Sequence, residues 1–330
     1  MYGPAVTFLG VPRAELGSLP AGAGAVILGA PYDGGTSHRP GARFGPGAIR
    51  GTDYLPHDGS RPHLALGVDP LVELGVVDAG DVEMPAVATD ESLKRLEDAV
   101  HAIAAAGAVP VVLGGDHTVA WPDATGVARH AGWGRVSVVH FDAHADTADL
   151  QFGSLVGHGT PMRRLIESGA IRGDRFVQIG LRGYWPDPPI LAWMASQGMR
   201  SFEMAEIVSK GLDRCLDEAL AIAVDGCDAV FLSVDVDVVD PGSAPGTGTP
   251  EPGGLTPRQL LDAVRRVAMD VPLAGMDVVE VSPPYDHAEV TAYLANRVVL
   301  EALSGLAWRR RGSPARPEWP LLDPRRGGPG

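Results

Sequence analysis

His117, Asp142, His144, Asp146, Asp235 and Asp237 are the residues of this sequence best suited to chemistry. They fall in three short segments: Leu113-Gly-Gly-Asp-His117, His140-Phe-Asp-Ala-His-Ala-Asp146 and Ser233-Val-Asp-Val-Asp-Val-Val-Asp-Pro241. Each segment directly follows an apolar run. Four aspartates with two neutral imidazoles carry four negative charges. Such a set cannot be buried together unless cations neutralise it. Two divalent ions would do so and would keep the carboxylates ionised. The oxygen-rich set favours Mn²⁺ over Zn²⁺ on hardness, while affinity alone leaves Zn²⁺ and Ni²⁺ open. Asp142, His144 and Asp146 are spaced by two, as are Asp235 and Asp237. In extended backbone, residues two apart face the same way. A metal pair ionises and holds a water, so hydrolysis is the implied chemistry. Taken singly, each segment has a plainer reading as a strand-to-helix turn, a solvated loop or a calcium loop. Their joint occurrence is what favours metal.

The elements that must position these residues follow from the apolar pattern. Runs suited to buried strands occur at 25–30, 72–77, 109–113, 135–141, 175–181, 228–234 and 273–281. Helical spacing occupies 91–106, 160–169, 188–197, 212–224, 257–268 and 288–304. Strand and helix in alternation predict parallel βαβ units in a doubly wound α/β sheet. Ligands to such sheets gather beyond the carboxyl ends of the strands, where all three acidic segments fall. The stretch 31–63 reads as long ordered loops, and the Pro- and Gly-rich segment 241–254 as a functional loop.

Composition narrows the function. The chain has 330 residues, 45% of them hydrophobic, which is enough for a large core. A net charge of −14 argues against nucleic acid and anionic membrane as partners. Cys215 and Cys227 make no disulfide framework and no cysteine-based zinc site. No signal peptide and no long apolar span are evident, so a cytoplasmic protein is expected. One catalytic domain is expected over residues 1–308. Residues 309–330, with six arginines, five prolines and four glycines, read as a tail, disordered or packed on a neighbouring subunit.

The motifs resemble those of the ureohydrolases, the family of arginase, agmatinase and related amidinohydrolases. The resemblance spans about residues 25–305. It rests on GGDHT at 114–118, FDAHADT at 141–147, HGTPMRR at 158–164, SVDVDVVDP at 233–241, PGTGTPEPGGLT at 245–256 and VVEVSPPYD at 278–286. The HGTP, PGTGTP and EVSPPYD strings are similar to the agmatinase branch. The resemblance implies a three-layer α/β/α fold with one mostly parallel sheet of about eight strands. It further implies two Mn²⁺ per subunit and a homo-oligomer, trimer or hexamer. By motif, His117 and Asp146 would hold one metal, His144 and Asp237 the other, with Asp142 and Asp235 bridging. Asp240 would support these ligands or cap a turn.

Hydrolysis of a guanidinium carbon needs a strong nucleophile and a general acid, because the amine must leave protonated. His158, in the HGTP string, is the candidate for that proton transfer. Glu280 ends an apolar strand and needs a partner. A substrate guanidinium would supply one in a bidentate pair; a structural bridge to Arg297 is the plainer reading. Asp277, three residues earlier, is expected to be structural. Arginases carry asparagine where this chain has Ala148, which argues against arginine as substrate. Asp149 is the candidate for an ammonium tail, while Arg39 or Arg43 would suit a carboxylate tail. Agmatine, hydrolysed to putrescine and urea, is therefore the leading substrate. Guanidinobutyrate, proclavaminate and free guanidine are the alternatives in the same reaction class. A metal-dependent deacetylase and a non-catalytic homologue are less consistent with six ligands plus His158 and Glu280.

Overall fold

The computed structural model describes residues 7–55, 60–85 and 87–312. Eight strands form one sheet: β1 Ala25–Gly29, β2 Val77–Asp81, β3 Val109–Leu113, β4 Val136–Phe141, β5 Ile171–Leu181, β6 Arg200–Glu203, β7 Ala229–Asp235 and β8 Leu273–Val279. Their order is β2-β1-β3-β8-β7-β4-β5-β6, and every pairing is parallel. Parallel strands are buried on both faces, which explains their unbroken apolar runs. Val109, Val111 and Leu113 of β3 enter one core, and Val112 enters the other. Val230, Leu232 and Val234 of β7 likewise oppose Phe231.

Ten described helices connect and cover the strands. They are α1 Gly45–Gly51, α2 Pro70–Glu73, α3 Thr89–Ala105, α4 Ala120–Ala131, α5 Pro161–Glu167, α6 Pro188–Ser196, α7 Met204–Lys210, α8 Leu212–Val224, α9 Pro257–Asp270 and α10 Val290–Arg310. α8, α9 and α10 cover one face, and α3, α4 and α5 the other, giving three layers. α9 starts as its sequence predicts. The Thr256 side chain accepts from Gln259 N, Gln259 reaches back to Thr256 N, and Pro257 opens the helix.

Some expectations shift. The apolar run at 72–77 is not a strand. Asp69 caps Val72 N with Pro70 at the first turn, so α2 forms, and β2 begins only at Val77. The loop stretch 31–63 contains α1. α4, α7 and the short edge strand β6 had no clear periodic signal. α10 continues to Arg310, two residues into the segment expected to be tail; residues 313–330 lie outside those described. No described helix is long and apolar enough to cross a membrane.

The sheet order makes the site. β3, β8, β7 and β4 are adjacent in space although far apart in sequence. Their register puts Leu113, Val278, Val234 and Phe141 in one row across the sheet. The next few residues of each strand therefore emerge side by side at its carboxyl edge.

Candidate active site

Asp235 is the last residue of β7, and Asp142 directly follows β4. Each aspartate then curls its own chain. Asp235 Oδ1 accepts from Asp237 N at 2.8 Å, starting a 3₁₀ turn over Val236–Val238. Asp142 Oδ1 accepts from His144 N at 2.6 Å. Asp146 has φ of 53°, in the left-handed region. The two-residue spacing thus brings side chains together through turns and not through extended strand, as the alternation argument expected.

All six expected ligands meet. His117 Nδ1 lies 2.9 Å from Asp146 Oδ2, 3.1 Å from Asp142 Oδ2 and 3.3 Å from Asp235 Oδ2. His144 Nδ1 lies 3.0 Å from Asp237 Oδ2 and 3.5 Å from Asp142 Oδ1. Asp142 belongs to both groups, one oxygen to each.

The proton positions test whether cations fit. Ser233 Oγ donates to Asp277 Oδ1 at 2.8 Å, so it must accept from His117 Nε2 at 2.9 Å. Neutral His117 then turns its Nδ1 lone pair toward three carboxylate oxygens. Lone pairs that converge on lone pairs call for a cation between them. Without one, protons take its place. Burial disfavours charge on His117, yet Asp142, Asp146 and Asp235 hold its pKa well above normal. Burial likewise opposes charge on His144, while Asp237 and Asp142 push it up to about 12. Asp235 is raised well above the carboxylate range, by burial first and then by Asp237 and Asp142. The donor set fits two hard divalent ions.

Several supporting groups were missed in the sequence. His140, fully buried in β4, donates from Nε2 to Asp142 Oδ2 at 2.9 Å. Its Nδ1 accepts from Gln178 Nε2 at 3.1 Å, and Gln178 is oriented by Ala145 O and Ser201 Oγ. A histidine inside an apolar strand was the available signal, since it must find partners when buried. Asp277, read as structural, orients His117 through Ser233. Asp240 caps the turn from which it accepts Gly242 N and Gly253 N. Asp116 accepts from Gly35 N and Thr118 N, and its pKa rises to about 6 through burial and then Glu280.

Glu280 follows β8 with φ of 64°, a strained conformation for a non-glycine residue. Its Oε1 accepts from His117 N at 2.8 Å and pairs with His158 Nδ1 at 2.8 Å. Its Oε2 is buried and has no hydrogen-bond partner among the described residues. Arg297 is not that partner; it lies over the Tyr54 ring, 5.1 Å from the centroid, and donates to Asn296. His158 is itself buried. Burial opposes its charge, but Glu280, Asp116 and Asp146 raise it to about 9.

A cavity of about 430 Å³ opens above these groups. His144, Asp146, Asp235, His158, Ser37 and Thr249 line it, together with Leu150, Gln151, Phe152, Trp185, Asp187 and Ile190. Asp149, Arg39 and Arg43 are not in that lining. Asp149 pairs with Arg164, Arg43 with Asp33, and Arg39 lies over Tyr285.

Residues 23–305 match the family described as Arginase family. The chain is 40% identical over 284 residues to the mitochondrial agmatinase of Gallus gallus, covering 86% of this chain and 81% of that protein. It is 38% identical over 294 residues to the mitochondrial guanidino acid hydrolase of Homo sapiens, covering 89% and 81%. The solved proclavaminate amidino hydrolase of Streptomyces clavuligerus superposes with a TM-score of 0.82 at 36% identity, covering 92% and 97%. The eight-stranded parallel sheet and the acid cluster at its carboxyl edge are those of a binuclear-metal hydrolase. The chain belongs to the arginase family.

Proposed function

We propose that this chain hydrolyses a guanidino compound with two Mn²⁺ bound, and that agmatine is its preferred substrate, giving putrescine and urea. The observation that carries the substrate choice is the cavity lining, which contains no lysine or arginine among the described residues. A carboxylate tail would meet no guanidinium or ammonium group among those residues. A cationic or apolar tail meets Leu150, Phe152, Trp185, Ile190 and the carboxylate of Asp187. Asp187 Oδ1 caps α6 by accepting from Ile190 N, which fixes the side chain in place.

His117, Asp142, His144, Asp146, Asp235 and Asp237 would hold the metals, which supply an ionised water at neutral pH. The protein's own residues do the rest. Glu280 Oε2 accepts from the substrate guanidinium and fixes its plane, while Oε1 stays bound to His117 N and His158. His158 holds the proton needed by the departing amine. The resemblance of guanidino acid hydrolases supports a second reading, in which the tail carries a carboxylate. A trimer or hexamer in the cytoplasm remains the expected state.

The test is urea release by the Mn²⁺-loaded protein from agmatine, arginine, guanidinobutyrate, guanidinopropionate and guanidine. Agmatine is expected to give the highest kcat/KM. Preference for a carboxylate-bearing substrate would remove agmatine, and no urea from any of the five would sink the hydrolase reading.

A further inference from the structure

His158 has no free ring nitrogen. Nδ1 is held by Glu280 Oε1 at 2.8 Å. Nε2 lies 2.6 Å from Ser37 Oγ and 3.1 Å from Ser37 N. The ring is pinned at both ends, so it cannot turn to meet a substrate. Ser37, in contrast, is exposed and lines the cavity beside His144, Asp146 and Asp235. It sits on a loop fixed from several sides. Gly35 N donates to Asp116 Oδ2 at 2.8 Å, and Gly35 O accepts from His158 N at 3.0 Å and from Gln151 Nε2 at 2.8 Å. A Cβ at Gly35 would lie 2.1 Å from Thr118 Oγ1, so this approach requires glycine. Three segments more than a hundred residues apart are thus brought into one chain, Ser37–His158–Glu280.

We propose that Ser37 is a catalytic residue: its hydroxyl, not the imidazole, hands the proton to the departing nitrogen, with His158 behind it as the proton store. The inference rests on the guanidino hydrolase reading above. The steps balance. As the water ionises and its oxygen bonds to the guanidinium carbon, one of its protons passes through Ser37 Oγ to His158 Nε2. The Ser37 amide contact to Nε2 requires a lone pair there; with two cations offsetting the nearby carboxylates, the ring rests neutral, unlike that of the metal-free protein, and has a place to receive it. As the carbon–nitrogen bond breaks, Ser37 Oγ–H passes to the departing nitrogen and the His158 Nε2–H replaces it. Ser37 ends unchanged and His158 ends neutral, its Nδ1–H still on Glu280. The last hydrogen leaves the new carbonyl oxygen and ends on the amine. An alkylguanidinium and water have become urea and an alkylammonium, with both water hydrogens on the departing nitrogen.

Leaving-group basicity separates this role from a structural one. An alkylamine cannot leave unprotonated, whereas a nitroaniline needs little help from an acid. Ser37→Ala, loaded with Mn²⁺, is expected to lose about 10²-fold in kcat on agmatine. KM should stay within about threefold, and hydrolysis of a nitrophenylguanidine should fall by less than about threefold. Ser37→Thr, which keeps the hydroxyl, should recover most of the agmatine rate. Equal losses on both substrates, or full agmatine activity in Ser37→Ala, would overturn the proposal while leaving the hydrolase reading intact. If the wild-type protein releases urea from neither substrate, the reading beneath it fails instead, and the proposal falls with it.

Discussion

Replacing Glu280 by glutamine tests the guanidinium anchor with minimal change of shape. The carboxylate divides its work. Oε1 takes His117 N and His158 Nδ1, and Oε2 is buried with no partner. Glutamine can keep its carbonyl oxygen on the first pair, which leaves its NH₂ where Oε2 was. A guanidinium N–H then meets a donor in place of an anion. Loss of a hydrogen bond to a charged group costs about 1.5–3 kcal/mol. At 1.4 kcal/mol per factor of ten, kcat/KM on agmatine should fall by roughly 10- to 200-fold, more if the facing donors repel. Glu280 is not among the expected metal ligands, so metal content should stay at the wild-type level. The assay is urea release beside metal analysis of the same dialysed sample. A kcat/KM within about threefold of wild type, with metal retained, would refute the anchor. Loss of metal would show that Glu280 acts through the His117 backbone instead.

Three further outcomes follow from the geometry. Asp235→Ala removes an oxygen near His117 Nδ1 and the cap on Asp237 N; dialysed protein should have lost metal and nearly all activity, and a fully loaded variant would contradict the assignment. Gln178→Leu frees His140 to turn away from Asp142; metal affinity by competition titration should weaken about 10- to 100-fold, the usual effect of removing a ligand's support, and unchanged affinity would show the relay to be idle. In the metal-free protein, His158 is raised to about 9. A raised histidine binds more protons folded than unfolded, so its stabilisation is fully present below about pH 6.5 and is lost as pH rises through 9. Melting temperature of chelated protein should therefore fall between pH 6.5 and 9; a rise over that interval would show that His158 is held neutral.

Much of this was legible in the sequence for a reason that also sets the limit. Buried parallel strands announce themselves as apolar runs, and β3, β4, β7 and β8 were found almost to the residue. Residues that follow such strands collect at one edge, so the six expected ligand residues could be grouped before their geometry was known. Short elements held by tertiary contact left no such trace. β6 spans only Arg200–Glu203 at the sheet edge, and α2 depends on a single cap from Asp69. The supporting residues were hidden differently. Gln178, Ser201 and Ser233 are ordinary strand residues until the sheet order places them beside His140 and His117.

Backbone conformation was the least legible of all. Asp146 and Glu280 both occupy the left-handed region, where a side chain costs about 1–3 kcal/mol. Nothing in the local sequence asks for that, and glycine would adopt it without strain. Both positions carry a carboxylate aimed into the site, so the chain tolerates the cost where a charge is needed. Ser37 follows the same logic from the other side. Gly35 accepts a crowded approach so that the next-but-one residue can reach His158. A loop serine gives no sign of that in its own neighbourhood, because its partner lies 121 residues away. Motif reading finds groups that neighbouring residues surround. Proton routes are assembled from distant segments, and only the packed chain shows that His158 Nε2 meets a hydroxyl that also lines the cavity.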